Sequence, residues 1–278
     1  MDPGLYVVAT PIGNLGDISQ RALDVLRGVD LIAAEDTRHS QRLLQHFGIE
    51  GVVIAYHEHS DGRVQERITQ TLKGGGSVAL ISDAGTPLIS DPGYRLVRDL
   101  QDHGLRVVPV PGACAAVAAL SVAGLPTDRF LFEGFLPAKA GSRQNRLELL
   151  RAETATMVFY EAPHRVADTL SALVTEFGAG REAVLAREIT KTFETVRRGA
   201  LGELRQFVDE DDNQRRGEIV LVVAGNTDTA SALDENTALL LRRLAEELPP
   251  KRAAAIVAEH SGLRKKVLYD YLLGLREH

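Results

Sequence analysis

Short β-branched and aliphatic runs alternate with segments of helical spacing through the first 110 residues. An apolar run or a period of two marks a strand, and recurrence every three or four positions marks a helix. The pattern predicts strands at 5–9, 31–34, 52–56, 78–82 and 106–110, and helices at 20–27, 37–47, 63–73 and about 91–102. Ser19 or Asp17 is placed to cap the first helix, Gly48 stops the second, and Gly74-Gly75-Gly76 stops the third. Asp91-Pro92 reads as the cap and first residue of the fourth. Strands alternating with helices predict a mainly parallel α/β sheet.

The pattern changes beyond Pro111–Ala113. Strands are predicted at 130–135, 157–160, 183–188, 195–200 and 218–224, with a helix at 166–177, a polar stretch at 139–146 and little helix among the later strands. That spacing predicts a second, mixed or antiparallel sheet. The division is therefore an N-terminal α/β domain over 1–112, a second α/β domain over 113–226, and a linker with a helical tail over 227–278. In the tail, 237–248 is amphipathic and Pro249-Pro250 ends it. Two short helices at 253–260 and 265–273, joined at Ser261-Gly262, resemble a helix-turn-helix.

Bulk properties narrow the class. With 278 residues and 44% hydrophobic content the chain can bury two cores. A net charge of −6 argues against a protein that coats nucleic acid nonspecifically, but leaves room for local basic patches. The single cysteine, Cys114, rules out an intrachain disulfide framework and a cysteine-based zinc site. The opening MDPGLYVVATPIGN lacks the basic-then-apolar form of a secretory signal, and no apolar run is long enough for a membrane span. The cytoplasm is the expected location.

Chemistry concentrates in the loops that follow strands. ATPIGNLGD, residues 9–17, has Gly13 and Gly16 to bring backbone close to a ligand, but lacks the dinucleotide fingerprint and the Walker lysine. SDAGTPLISDPG, residues 82–93, packs two aspartates, two glycines and two prolines behind an apolar strand, and Asp83 at the strand end is placed to face a ligand. PGACA, residues 111–115, opens a helix of small residues against which a ligand can lie close to backbone amides. There Cys114 reads as a small buried residue, since nothing activates it as a nucleophile. Glu35-Asp36-Thr37-Arg38-His39 and His57-Glu58-His59 follow two further strands; Arg38 suits a phosphate, and no metal site is expected. FYEAPHR, residues 159–165, sets Glu161, His164 and Arg165 at a helix start.

Taken together and in this order, ATPIGNLGD, AEDTR, HEH, SDAGTPLISDPG, PGACA, FYEAPHR and RRGEIVLVVAG resemble the ribosomal RNA small subunit methyltransferase I family of the tetrapyrrole methylase-like superfamily, over roughly residues 5–225. The resemblance implies two α/β domains with S-adenosylmethionine in the cleft between them, and a homodimer. It also implies methylation of a cytidine ribose 2′-hydroxyl in the decoding region of 16S ribosomal RNA. Donor contacts implied for this chain fall on Pro11, on Ser82, Asp83, Ala84, Gly85 and Thr86, on Cys114 and Ala115, on Tyr160 and Glu161, and on Gly217 and Glu218. Two departures matter: Cys114 stands where many relatives carry serine or alanine, and the first loop is less glycine-rich than in relatives that act on tetrapyrroles.

Methyl transfer to a ribose hydroxyl needs alignment and help with a proton. Glu35, Asp36 and His57 are the candidates for that help, with His59 and His164 beside them. For RNA phosphates the candidates are Arg38, His59, Lys139, Arg143, Arg146, His164 and Arg165 in the body, and Lys251, Arg252, Arg264, Lys265 and Lys266 in the tail. Competing readings are a tetrapyrrole methyltransferase of the same fold, a nucleotide-dependent oxidoreductase, which lacks its fingerprint here, and a non-enzymatic nucleic-acid-binding protein, which leaves the strand-end loops unexplained.

Overall fold

The computed structural model describes residues 1–57, 62–227, 235–261 and 263–275. The first sheet is parallel, in the order β3-β2-β4-β1-β5, from Gly4–Val8 (β1), Leu31–Ala34 (β2), Val53–Ala55 (β3), Ser77–Ile81 (β4) and Val107–Val110 (β5). Its strands are apolar on both faces because both are covered. Alternate residues such as Tyr6, Val8, Ile32 and Ile81 pack under α1 (Gln20–Gly28) and α2 (Thr37–His46). The intervening set, including Leu5, Ala33 and Leu80, packs under α3 (Gly62–Lys73) and α4 (Tyr94–Asp102). The neighbouring central strands β4 and β1 are thus left by helices on opposite faces, which opens a crevice at their carboxyl ends.

Cap chemistry explains the early boundaries. Ser19 Oγ accepts from the Ala22 amide at the start of α1, and Asp36 caps α2 by accepting from the amides of Arg38 and His39. Asp91 does not cap α4, contrary to the sequence pattern. The helix begins three residues later, behind Gly93 at φ 133°, with no side-chain cap. The loop before it carries Leu88 at φ 74° and Ser90 at φ 67°, so the chain turns back over β4 before it can enter a helix.

The second sheet is mixed, in the order β6-β7-β10-β8-β9, from Phe130–Phe135 (β6), Thr156–Glu161 (β7), Glu182–Arg187 (β8), Thr195–Ala200 (β9) and Ile219–Val223 (β10). β6 and β7 are parallel and the other pairs antiparallel. Met157, Phe159, Leu185 and Leu221 face α6 (Ala140–Leu150), α7 (Val166–Phe177) and α8 (Leu201–Glu210). Val158, Val184 and Val222 face α5 (Ala115–Ala123), which follows β5 directly but packs on this sheet. Two of these helices correct the sequence pattern: the polar stretch 139–146 lies mostly in α6, and α8 stands between β9 and β10. Beyond the second sheet, α9 (Glu235–Glu247), α10 (Pro250–Ser261) and α11 (Lys265–Gly274) share a small core around Leu241, Val257 and Leu268. Ser261 ends α10, and Gly262 lies outside the described residues. No helix among the described residues is long and apolar enough to cross a membrane.

Candidate active site

The strand-end loops of the first sheet are stitched to one another. Thr10 and Gly85 exchange backbone hydrogen bonds of 2.8 and 3.1 Å, which joins the loop after β1 to the loop after β4. Thr86 Oγ1 donates to the Ala113 carbonyl at 2.9 Å, tying that loop to the segment entering α5. The Asp36 amide donates to Asp83 Oδ1 at 3.1 Å, and the Asp83 amide donates to Glu35 Oε2 at 3.4 Å, which adds the loop after β2. Backbone groups at four strand ends therefore hold one another, and the surface they form is preorganised.

This surface and the second sheet enclose a cavity of about 410 Å3, within the range of small-molecule sites. From the first lobe come Ile12, Glu35, Asp83, the backbone through Thr86, and Asp91. From the second come Cys114 and Ala115, Tyr160, Ile189, Glu218 and Val220. The tyrosine is wedged edge-on against Phe132 and Phe135, with ring centroids 5.0 and 5.7 Å away, and its hydroxyl accepts from the Ala116 amide at 3.1 Å. Burial drives its pKa well above that of free tyrosine, so the hydroxyl stays neutral. The second-lobe wall is thus apolar around Tyr160, Ile189 and Val220, with Glu161 and Glu218 beside them, and the first-lobe wall carries the carboxyl groups of Glu35, Asp83 and Asp91.

The carboxyl groups are not equivalent. Burial raises the Glu35 pKa, and the charges of Asp83 and Asp36 push it the same way. The Asp91 carboxyl is pushed up to about 6, first by burial and then by Glu35 and Asp83, against a hydrogen bond from Ser82. Asp36 does not line the cavity; its carboxylate is spent on the amides that open α2, and these hold its pKa below the usual aspartate value. The structure thus places it as a helix cap and not on the cavity wall. His57 is exposed and lies within electrostatic reach of Glu35, while Glu58 and His59 fall outside the described residues.

Several other expected residues are placed differently. Pro11, Ser82 and Gly217 do not line the cavity; Ser82 is buried behind it, and Ile12 takes the place expected of Pro11. Glu161 lines the cavity, but its carboxylate is engaged by its own neighbours. It accepts from the Ala162 amide at 2.7 Å and the Thr169 hydroxyl at 2.5 Å, and pairs with Arg165 at 3.3 Å. Arg165 also donates to the Leu136 carbonyl at 2.7 Å, so this guanidinium is engaged within the second lobe. Arg143 is only 7% exposed, on the face of α6 that buries Leu147 and Leu150, and cannot reach RNA. Arg146 is held bidentately by Glu133 at 2.8 and 2.7 Å. Arg38 and His164 are exposed, as are Lys139, Lys251, Arg252, Arg264, Lys265 and Lys266.

Ile189 and Lys191 belong to a loop that the sequence pattern passed over. Glu188 and Thr190 there adopt φ of 51° and 69°. Lys191 Nζ pairs with Glu188 at 2.8 Å and Glu218 at 3.0 Å, and its methylenes cross to the first lobe over Gly13. A Cβ on Gly13 would lie 2.3 Å from Lys191 Cγ, so glycine is what lets the lysine pass. The legible signal was Arg187-Glu188-Ile189-Thr190-Lys191, an isoleucine inside a polar run directly after a strand.

A doubly wound sheet facing a mixed sheet across a lined cleft is also the architecture of known methyltransferases. The model of the Tetrapyrrole (Corrin/Porphyrin) Methylases matches residues 4–205, and that of the RsmI C-terminal HTH domain matches residues 231–276. Uroporphyrin-III-C-methyltransferase from Thermus thermophilus superposes with a TM-score of 0.57 at 21% identity, covering 80% of this chain and 94% of that one. Diphthine synthase does so with a TM-score of 0.57 at 16% identity, covering 79% and 89%. At such identities the likeness establishes the fold alone. The chain belongs to the tetrapyrrole methylase family and is a methyltransferase.

Ribosomal RNA small subunit methyltransferase I of Pseudomonas aeruginosa is 57% identical, over 97% of this chain and 96% of its own length. Its counterpart from Escherichia coli O157:H7 is 53% identical over 97% and 94%. Within the superfamily, this chain belongs to the ribosomal RNA small subunit methyltransferase I family.

Proposed function

We propose that this chain transfers a methyl group from S-adenosylmethionine to the ribose 2′-hydroxyl of a cytidine in the decoding region of 16S ribosomal RNA. The observation that carries the reading is the two-sided cavity: a flat apolar wall at Tyr160, Ile189 and Val220 faces carboxyl groups at Glu35, Asp83 and Asp91. The donor has a purine that suits the first wall and a sulfonium and an ammonium that suit the second. Cys114, Ala115, Tyr160, the Gly85–Thr86 backbone and Glu218 would hold it. Bound there, it supplies a methyl group already activated by the positive sulfur. The chain's part is to align the acceptor, exclude water and take up a proton.

On the RNA side, Arg38 has a side chain 92% exposed at the rim near Glu35. In the tail, Lys251 and Arg252 stand in the first turn of α10, and Lys265 and Lys266 in the first turn of α11. Cations oppose the helix dipole there, so helix stability does not explain them. Phosphate groups bound at these ends would satisfy both the dipole and the lysines. The reading includes a homodimer in the cytoplasm and the division into 1–112, 113–226 and 227–278.

The test is transfer from labelled S-adenosylmethionine to small ribosomal subunits from cells lacking the protein, with the product nucleoside identified. A 2′-O-methylated cytidine is expected. Donor binding without transfer reopens the acceptor, and no donor binding overturns the reading.

A further inference from the structure

We propose that Lys191 is a positioning residue for methyl transfer: it straps the second-lobe wall of the cavity to the loop after β1 and so fixes how the two lobes face each other on that edge. The inference rests on the function proposed above and deepens it by naming a residue that acts on the rate through its neighbours.

The loop ATPIGNLGD after β1 gives Ile12 to the cavity, and the next residue, Gly13, adopts φ 146°, which favours glycine. What lies on Gly13 is the stem of Lys191, from the loop between β8 and β9 in the other lobe. A Cβ on Gly13 would collide with Lys191 Cγ and lie 2.8 and 3.0 Å from Cε and Cδ, so three successive methylenes cross the face of one glycine. Fixing a lysine stem costs rotamer entropy, and its ordered course therefore needs anchors.

The anchors belong to the second lobe. Lys191 Nζ donates to Glu188 Oε1 at 2.8 Å and to Glu218 Oε2 at 3.0 Å. Glu188 Oε1 also accepts from the Glu218 amide at 2.9 Å, and the Glu188 amide donates to the Glu218 carbonyl at 2.9 Å. Within the loop, the Lys191 amide donates to the Glu188 carbonyl at 3.0 Å and the Thr190 amide to Glu194 Oε2 at 2.6 Å. Arg187, buried at the end of β8, holds the far side by donating to the Phe193 carbonyl at 3.0 Å. Between these ties Glu188 and Thr190 are kept at positive φ, a strain that persists only where the surroundings enforce it. The loop is a rigid mount, and the lysine stem is an arm from it to the first lobe.

The strap ends beside the cavity on both sides. Ile189, two residues before the lysine, and Glu218, which shares its ammonium, line the second-lobe wall, and Ile12 lines the first. Lys191 itself does not line the cavity. A methyl carbon and its acceptor oxygen react only when aligned at about 3–3.5 Å, and a displacement of about 1 Å from a remote change can cost about 10²-fold. Without the strap, Tyr160, Cys114 and the Gly85–Thr86 backbone still offer the donor its seat, because the Thr10–Gly85 and Thr86–Ala113 hydrogen bonds and the Tyr160 bond to the Ala116 amide do not involve the lysine. The two lobes lose their alignment on this edge, so the rate suffers more than donor affinity.

The test is a double-mutant cycle in the full chain: wild type, Gly13→Ala, Lys191→Ala and the double variant. Calorimetry gives affinity for S-adenosylmethionine, and single-turnover methylation of unmethylated small subunits at saturating donor gives the rate. Lys191→Ala should bind the donor within about threefold of wild type and transfer methyl about 10–100-fold more slowly. Gly13→Ala drives a methyl group into the stem; it should slow transfer by about tenfold in the wild-type background and by less than about twofold in Lys191→Ala, where the stem is gone. Backbone strain from the alanine is common to both backgrounds and cancels in the cycle. Lys191→Met keeps the bulk of the stem, which guards against a folding defect, and should be slow as well because its stem has no anchor. Additive effects of Gly13→Ala and Lys191→Ala overturn the proposal. So does a Lys191→Ala or Lys191→Met variant with nearly the wild-type rate, or one that loses the donor, which would make the lysine a support of the donor seat. If wild-type protein fails to methylate RNA, the functional reading falls and this role with it. If wild type is active and the cycle is additive, only the strap falls.

Discussion

Thr169 is fully buried, and its hydroxyl completes the shell around the Glu161 carboxylate. Together with Arg165 these two fix the turn between β7 and α7, and so the seat of Tyr160. Replacing Thr169 with valine keeps the shape but leaves one oxygen of a buried charge without its donor. We expect a loss of about 1–3 kcal/mol in chemical denaturation. Asp91 carries the opposite sign. Its folded pKa of about 6 lies above its ordinary 3.8, so in that window the folded chain holds more protons than the unfolded one. Stability therefore falls as pH rises through the window, and the penalty persists above it. Asp91→Asn should melt higher than wild type at about pH 8 and match it at about pH 4, as read by thermal unfolding.

At the scale of elements, α5 has a particular task. It follows a strand of the first sheet yet packs on the second, and its first turn supplies Ala115 to the cavity and the Ala116 amide to Tyr160. Alanines at 116, 119 and 123 let it lie close to Val158, Val184 and Val222. Ala119→Leu would insert bulk at a position with no exposure. It should cost about 1–3 kcal/mol of stability and weaken donor binding, because the helix can yield only by moving away from the sheet. Thermal melts with and without S-adenosylmethionine separate the two effects. The elements that pattern reading passed over have identifiable reasons. The buried face of α6 includes Arg143, which breaks the apolar stripe. At the start of α8, Ala200 has no side chain to cap with, and the end is held instead by Glu203 accepting from the Ala200 amide at 3.0 Å.

For the whole molecule, the distribution of charge matters more than its sum. The net charge of −6 coexists with carboxyl groups gathered at the cavity and exposed cations at the rim and in the tail. A cationic donor and an anionic RNA ask for that separation. Replacing Lys251, Arg252, Lys265 and Lys266 together with alanine should leave donor affinity unchanged. The dependence of log affinity for RNA on log salt should become shallower by about 3, the loss of four phosphate contacts. A titration at several salt concentrations decides it, and an unchanged slope assigns these charges to solvation alone.

The sequence by itself determined most of the strands and helices, the mixed character of the second sheet, and the loops where the chemistry gathers. Periodicity, caps and glycines act within a few residues, so a linear reading captures them. Only the tertiary structure decided which polar residue faces the cavity and which is consumed in holding it. Asp91 looked like a cap and lies on the wall, while Asp36 looked like a base and is a cap. Arg143 and Arg165 looked like phosphate ligands; one is buried, and the other is bound to Glu161. The role of an ionisable group depends on its desolvation and partners, and these are brought from distant parts of the chain: Glu35, Ser82, Asp91 and Tyr160 meet only after two sheets have folded and closed on one another.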